Sequence, residues 1–169
     1  MSKAQVGQGM YLIEGNETAE EVVALAYGLE EGSRRFYREL AERSDVPEAR
    51  RLFETLHDAE IRHEDRLWER YLALPGSFGD RRAFEERVVP GALEGGLTPD
   101  QLLAGIPEAG RGYAESIDLA MALETDALDL YLRMAAAFDN PAIRSIFFDL
   151  AEEERGHLEK LGALRGRAN

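Results

Sequence analysis

A glutamate followed three residues later by a histidine occurs twice in this chain, in AEIRH at 59–63 and in EERGH at 153–157. On a helix, positions three apart share one face, so Glu60 with His63 and Glu154 with His157 each offer a carboxylate and an imidazole side by side. That is half of a metal site, repeated. A single Glu-x-x-His is ordinarily a solvated surface pair. Here both pairs fall on stripes that also carry Leu56, Leu67, Leu150 and Leu161, which are residues that seek the interior.

Two more glutamates belong to the same pattern. Residue 45, in SDVP, is the midpoint between Glu30 and Glu60, and residue 139, in FDNP, is the midpoint between Glu124 and Glu154. If the chain reverses at those points, the two members of each pair lie at matching heights, roughly 22 Å from the turn at 1.5 Å per residue. Glu30, Glu60, His63, Glu124, Glu154 and His157 then converge on one level. Four carboxylates and two imidazoles suit two divalent ions such as iron or manganese, and four negative charges neutralise two dications, as a buried site requires. The spacing assigns Glu30 and His63 to one ion, Glu124 and His157 to the other, and Glu60 with Glu154 as bridges, leaving coordination positions open for oxygen or peroxide.

Composition narrows the alternatives. Absence of cysteine excludes disulfides, thiolate catalysis and cysteine-held iron or zinc, so metal chemistry must use carboxylate and imidazole. A formal charge of −13, with no basic cluster, argues against nucleic acid and anionic membranes as partners. No apolar run reaches the length of a membrane span, and MSKAQVGQGMYLIEGNE lacks the order of a secretory signal, which makes the cytoplasm the expected location.

The elements that must position these residues are four helices. Apolar spacing through Val22, Leu25, Ala26, Leu29, Phe36, Tyr37 and Leu40 predicts a helix over about 18–43, opened by a Thr18–Glu21 capping box. A second is expected over about 46–73, with Pro47 in its first turn and Asp45 and Glu48 forming another capping box. Helices over about 113–138 and 141–166 follow, the last opening at Asn140-Pro141. Between them, 74–112 is a long crossover containing one short extra helix, with its cap at Thr98-Pro99-Asp100-Gln101. MYLIEG near the start reads as an apolar strap on the bundle or on a partner subunit, and Met121 and Met134 read as core.

The two halves repeat without a gap at an offset of 94, pairing Leu25 with Leu119, Glu30 with Glu124, Tyr37 with Tyr131, Phe53 with Phe147, Glu60 with Glu154 and His63 with His157. A lone helical hairpin cannot bury its apolar stripe, so two similar hairpins facing each other predict an all-α four-helix bundle. Tyr37 and Tyr131 lie two turns beyond Glu30 and Glu124, and their side chains lean back toward the ligand layer. His57 has no counterpart, because residue 151 is alanine, and reads as an edge or surface histidine.

Ala26-xxx-Glu30-xx-Ser33-xx-Phe36-Tyr37, then Phe53-xx-Leu56-xxx-Glu60-xx-His63, then much the same again, resembles the rubrerythrin branch of the ferritin-like superfamily over about 18–72 and 113–165. VALAYGLEEGSRRFY is particularly similar to ferritin-like domains fused behind a rhodanese domain, although no rhodanese is present in this sequence. The resemblance implies a ferritin-like bundle, a diiron centre on the same six residues, tyrosines at 37 and 131 bonded to carboxylate ligands, and a homodimer.

Two departures from that pattern stand out, and a third feature separates the chain from cage-forming ferritins. The cysteine-held, rubredoxin-like iron of rubrerythrins proper is missing, so electrons must come from an external donor. Their extra glutamate falls at 127, which is alanine, bringing the remaining ligand set closer to the symmetrical one of bacterioferritins. No fifth helix follows 166, which weighs against a storage cage. The expected function is reduction of peroxide or dioxygen at a dimetal centre, with iron oxidation and handling as the alternative and a non-catalytic, metal-stabilised interaction module as a third.

Overall fold

The computed structural model describes residues 17–88, 101 and 112–167. Among them are five helices and no strand: α1 (Ala19–Arg43), α2 (Pro47–Leu72), α3 (Arg81–Glu85), α4 (Tyr113–Ala137) and α5 (Pro141–Arg165). None is long and apolar enough to cross a membrane. The strap at 10–15 lies outside the described residues, as does the short helix expected at 98 apart from Gln101.

Local chemistry sets the helix starts. The Thr18 hydroxyl accepts from the Glu21 amide at 3.3 Å while the Glu21 carboxylate accepts from the Thr18 amide at 2.8 Å, closing the expected capping box. Asn140 caps α5 by accepting from the Ala142 amide at 2.9 Å, with Pro141 at the first helical position.

The second capping box does not form. Pro47 holds the residue before it in extended backbone, so the cap falls on Val46, whose side chain cannot accept a hydrogen bond. Val46 is the repeat partner of Asn140, so the same Pro-led start is capped by a side chain in one hairpin and not in the other.

Side-chain pairs fix the directions of the helices. Tyr37 reaches Glu124 while Tyr131 reaches Glu30, so α1 and α4 run antiparallel; Arg66 meets Glu153 and Arg70 meets Asp149, so α2 and α5 do likewise. The result is an all-α, ferritin-like four-helix bundle of two αα-hairpins, α1/α2 and α4/α5. α2 ends beside one end of the bundle, at Leu67 and Tyr71, and α4 begins at the other, at Ile117.

Buried apolar residues form two groups. One gathers Val22, Leu67, Tyr71, Met134, Phe138 and Phe147 at the end where α1 and α5 begin. The other gathers Phe36, Leu40, Leu52, Phe53, Ile117 and Leu161 at the opposite end. Met134 is core, whereas Met121 is only partly buried against the second group, and Leu72 at the end of α2 is exposed.

The short helix α3 lies within the stretch expected as crossover, and its five residues are too few to carry a helical periodicity. It is held by tertiary contacts. Phe84 packs 4.4 Å from Tyr71 and edge-on to Tyr27 at 5.2 Å, while the Arg81 guanidinium donates to Tyr27, Glu85 and Asp65.

Candidate metal centre

Between the two apolar groups, all six ligand-type residues turn inward: Glu30, Glu60, His63, Glu124, Glu154 and His157 are each at most 8 % exposed. Each helix of the bundle contributes, α1 and α4 one glutamate each, α2 and α5 one Glu–His pair each. The imidazoles of His63 and His157 stack with centroids 5.2 Å apart, so the two Glu–His pairs face each other across the bundle axis.

The donor atoms crowd together. His63 Nδ1 lies 2.9 Å from Glu30 Oε2, 3.0 Å from Glu60 Oε2 and 3.3 Å from Glu154 Oε1. His157 Nδ1 lies 3.1 Å from both Glu124 Oε2 and Glu154 Oε2. One ring nitrogen carries at most one hydrogen, and that of His63 is directed at Glu30. Glu60 Oε2 and Glu154 Oε1 therefore have no hydrogen-bond partner although both are buried.

A buried carboxylate oxygen without a donor costs several kcal/mol in a low-dielectric interior, on the order of what a nearby cation would return. Three groupings of donor atoms lie within 4.8 Å of one another: Glu30, Glu60, His63 and Glu154; Glu60, Glu124 and His157; and His63, Glu154 and His157. The orphaned oxygens, the carboxylate–imidazole donor set and this convergence fit a metal site for divalent iron or manganese.

Electrostatics within the layer are polarised. Burial and the neighbouring Glu30 charge push Glu60 well above the ordinary carboxylate range, and burial with the Glu124 contact does the same to Glu154. For Glu30, burial is outweighed by the His63 charge and by hydrogen bonds from His63, Glu60 and Tyr131, which hold it below its ordinary value. Glu124 is held down to about 2, burial being outweighed by hydrogen bonds from Glu154 and His157, the His157 charge and the Tyr37 hydroxyl. For His63, burial is overcome by the Glu30 charge and by hydrogen bonds to Glu153, Glu30 and Glu60, which keep it protonated far above neutrality in the polypeptide alone.

The tyrosines cross between hairpins. The Tyr37 hydroxyl donates to Glu124 Oε1 at 2.6 Å, and the Tyr131 hydroxyl donates to Glu30 Oε1. Both phenols are buried, Tyr37 pushed well above its ordinary pKa by burial and the Glu124 charge, so it stays a donor. Each hairpin thus orients the carboxylate of the other.

His57 is not brought to the layer. Its Nδ1 lies 3.0 Å from the Arg34 carbonyl, and the ring lines a surface groove with Arg38, Glu42, Arg50 and Glu54.

Two residues were missed in the sequence. Glu153, half-buried on α5, accepts from His63 Nε2 at 3.1 Å and pairs with Arg66. It looks like one more acid in a run of three, and only the rotation of α5 against α2 aims it at His63. Glu64 is buried against the Arg34 guanidinium at 2.5 Å, and nothing in its spacing separates it from the exposed acids around it.

Comparison with known proteins agrees with the geometry. The sequence profile of the rubrerythrin family matches residues 9–77 and 115–167. Three solved chains are similar; one of them, a hypothetical protein from Pyrococcus furiosus, superposes with a TM-score of 0.59 at 24 % identity over 92 % of both chains, a likeness of fold. No curated protein matches the chain.

Proposed function

Because this chain belongs to the rubrerythrin family of ferritin-like proteins, we propose that its buried carboxylate–histidine layer holds two iron ions and serves the two-electron reduction of hydrogen peroxide or dioxygen. The observation that carries the reading is the pair of orphaned oxygens, one on Glu60 and one on Glu154, at the meeting point of two matched Glu–His pairs. Glu30 and His63 would be the terminal ligands of one ion, Glu124 and His157 those of the other, and Glu60 with Glu154 the bridges, since each of these two appears in groupings on both sides. Manganese would fit the same donors.

When bound, such ions supply the electrons that no side chain here can give. The chain's own residues do the rest. Tyr131 and Tyr37 hold Glu30 and Glu124 in place by donating to one oxygen of each, leaving the other oxygen facing its histidine. Glu60 and Glu154, pushed toward the protonated form, can keep a proton close to the site. The apolar groups above and below exclude water. Electrons to restore the reduced state come from an external donor, and the reading includes a cytoplasmic homodimer.

Anaerobic protein loaded with two Fe(II) per chain should be oxidised by peroxide in stopped-flow much faster than free Fe(II), and faster than by dioxygen. Oxidation no faster than free Fe(II) would refute the reading. Iron oxidation for handling or storage is the second reading, favoured by Ala127, which is buried where rubrerythrins resemble one another in carrying a further glutamate. It requires dioxygen to be the better oxidant, with repeated turnover of added Fe(II).

A further inference from the structure

The 94-residue repeat makes the two halves of the layer look equivalent, and the contacts show that they are not. Both orphaned oxygens, Glu60 Oε2 and Glu154 Oε1, lie on the His63 side, within 3.3 Å of His63 Nδ1, beside Glu30 Oε2 at 2.9 Å. One grouping of four, Glu30, Glu60, His63 and Glu154, forms there, whereas His157 belongs only to groupings of three, with Glu60 and Glu124 or with His63 and Glu154.

The far side of each ring differs as well. His63 Nε2 faces Glu153 at 3.1 Å, and Glu153 is held in turn by Arg66. Subtracting the repeat offset from 153 gives residue 59, which is alanine. A methyl group cannot accept a hydrogen bond, so position 59 offers His157 no equivalent partner. His63 is 1 % exposed and His157 8 %.

Resting on the dimetal reading above, we infer that the two cation positions are unequal: the position bounded by Glu30, Glu60, His63 and Glu154 fills first and tightly, and the position at His157 fills second and exchanges more readily. The physical cause is twofold. A cation at the first position satisfies both orphaned oxygens at once. Glu153, as a positioning residue, keeps a hydrogen on His63 Nε2, so that Nδ1 is the nitrogen that gives up its proton to a cation at the site; such partners are worth roughly 10–100-fold in metal affinity.

Titration of the full chain with Mn(II), followed by electron paramagnetic resonance, separates the possibilities. A single bound Mn(II) gives a mononuclear spectrum, and two neighbouring ones give a coupled-pair signal. In the native chain, one equivalent should give the mononuclear spectrum alone, the pair signal growing only with the second. Glu153→Ala recreates at His63 the situation of His157; it should weaken the first step roughly 10–100-fold and make the pair signal appear at one equivalent. His157→Gln should weaken the second step far more than the first.

A pair signal at one equivalent in the native chain would overturn the inference while leaving the dimetal reading standing, and that measurement needs no variant. A first step unchanged by Glu153→Ala would overturn the role of Glu153. If no Mn(II) binds, both the inference and the dimetal reading fall.

Discussion

Loading the layer with two divalent cations at pH 7 should expel protons, between about one and about three per chain, because ligands must shed their protons to coordinate. Glu60 and Glu154 are pushed well above the ordinary carboxylate range by burial and by Glu30 and Glu124, so each holds a proton far more readily than a free glutamate. His63 enters as an imidazolium, the Glu30 charge and its carboxylate hydrogen bonds overcoming burial. Glu30 and Glu124 are already ionised and give up nothing. The imidazolium sets the floor at about one, and the two carboxyl groups raise the ceiling to about three. Ordinary glutamates and histidines, with pKa near 4.3 and 6.5, would release well under one proton at this pH. Calorimetric titration with Mn(II) in buffers of different ionisation heat reads the number as the slope of observed against buffer enthalpy. Since protons are products, apparent affinity must also rise with pH, and Glu60→Gln should reduce the slope. A slope below one proton would refute the clustering of the four carboxylates from which the number is worked.

Stability of the metal-free protein should fall as pH rises from 6 to 9. Glu60, Glu154 and His63 all have folded pKa values raised above their unfolded ones, so their contribution is full below the unfolded values and is lost as pH passes the folded ones; thermal melts by circular dichroism check the sign, and a metal-free melting temperature higher at pH 9 would contradict it. Phe147→Ala, removing a fully buried ring that stacks on Tyr131 and Phe138, should cost about 3–5 kcal/mol in urea unfolding. Tyr131→Phe leaves that packing but removes the donor to buried Glu30, and should cost about 1.5–3 kcal/mol by the same measurement.

Much of this was legible in the sequence because the informative signals were local or repeated. Thr18 and Asn140 announce helix starts by side-chain chemistry, the turns near 45 and 139 follow from the pairing of Glu30 with Glu60 and Glu124 with Glu154, and the repeat lifts a weak Glu-x-x-His signal above background. What stayed hidden depends on how separate elements rotate against one another. Val46 took the cap because of the proline after it, against the expectation for Asp45. The helix α3 exists through Phe84 and Arg81, whose partners Tyr27, Asp65 and Tyr71 lie in α1 and α2. Glu153 reaches His63 across two hairpins, a contact that no spacing within either hairpin encodes.

The apolar interior is interrupted at mid-height, with Phe147 and Tyr71 in one block and Phe36 and Leu161 in the other. Grease that fails to run the length of the molecule cannot by itself make both ends melt together. Cations pinned at the waist would act as rivets, so a chelator should work as a wedge: amide hydrogen exchange would quicken first around Glu60 and Glu154, and the two ends would then lose protection at separate rates instead of one.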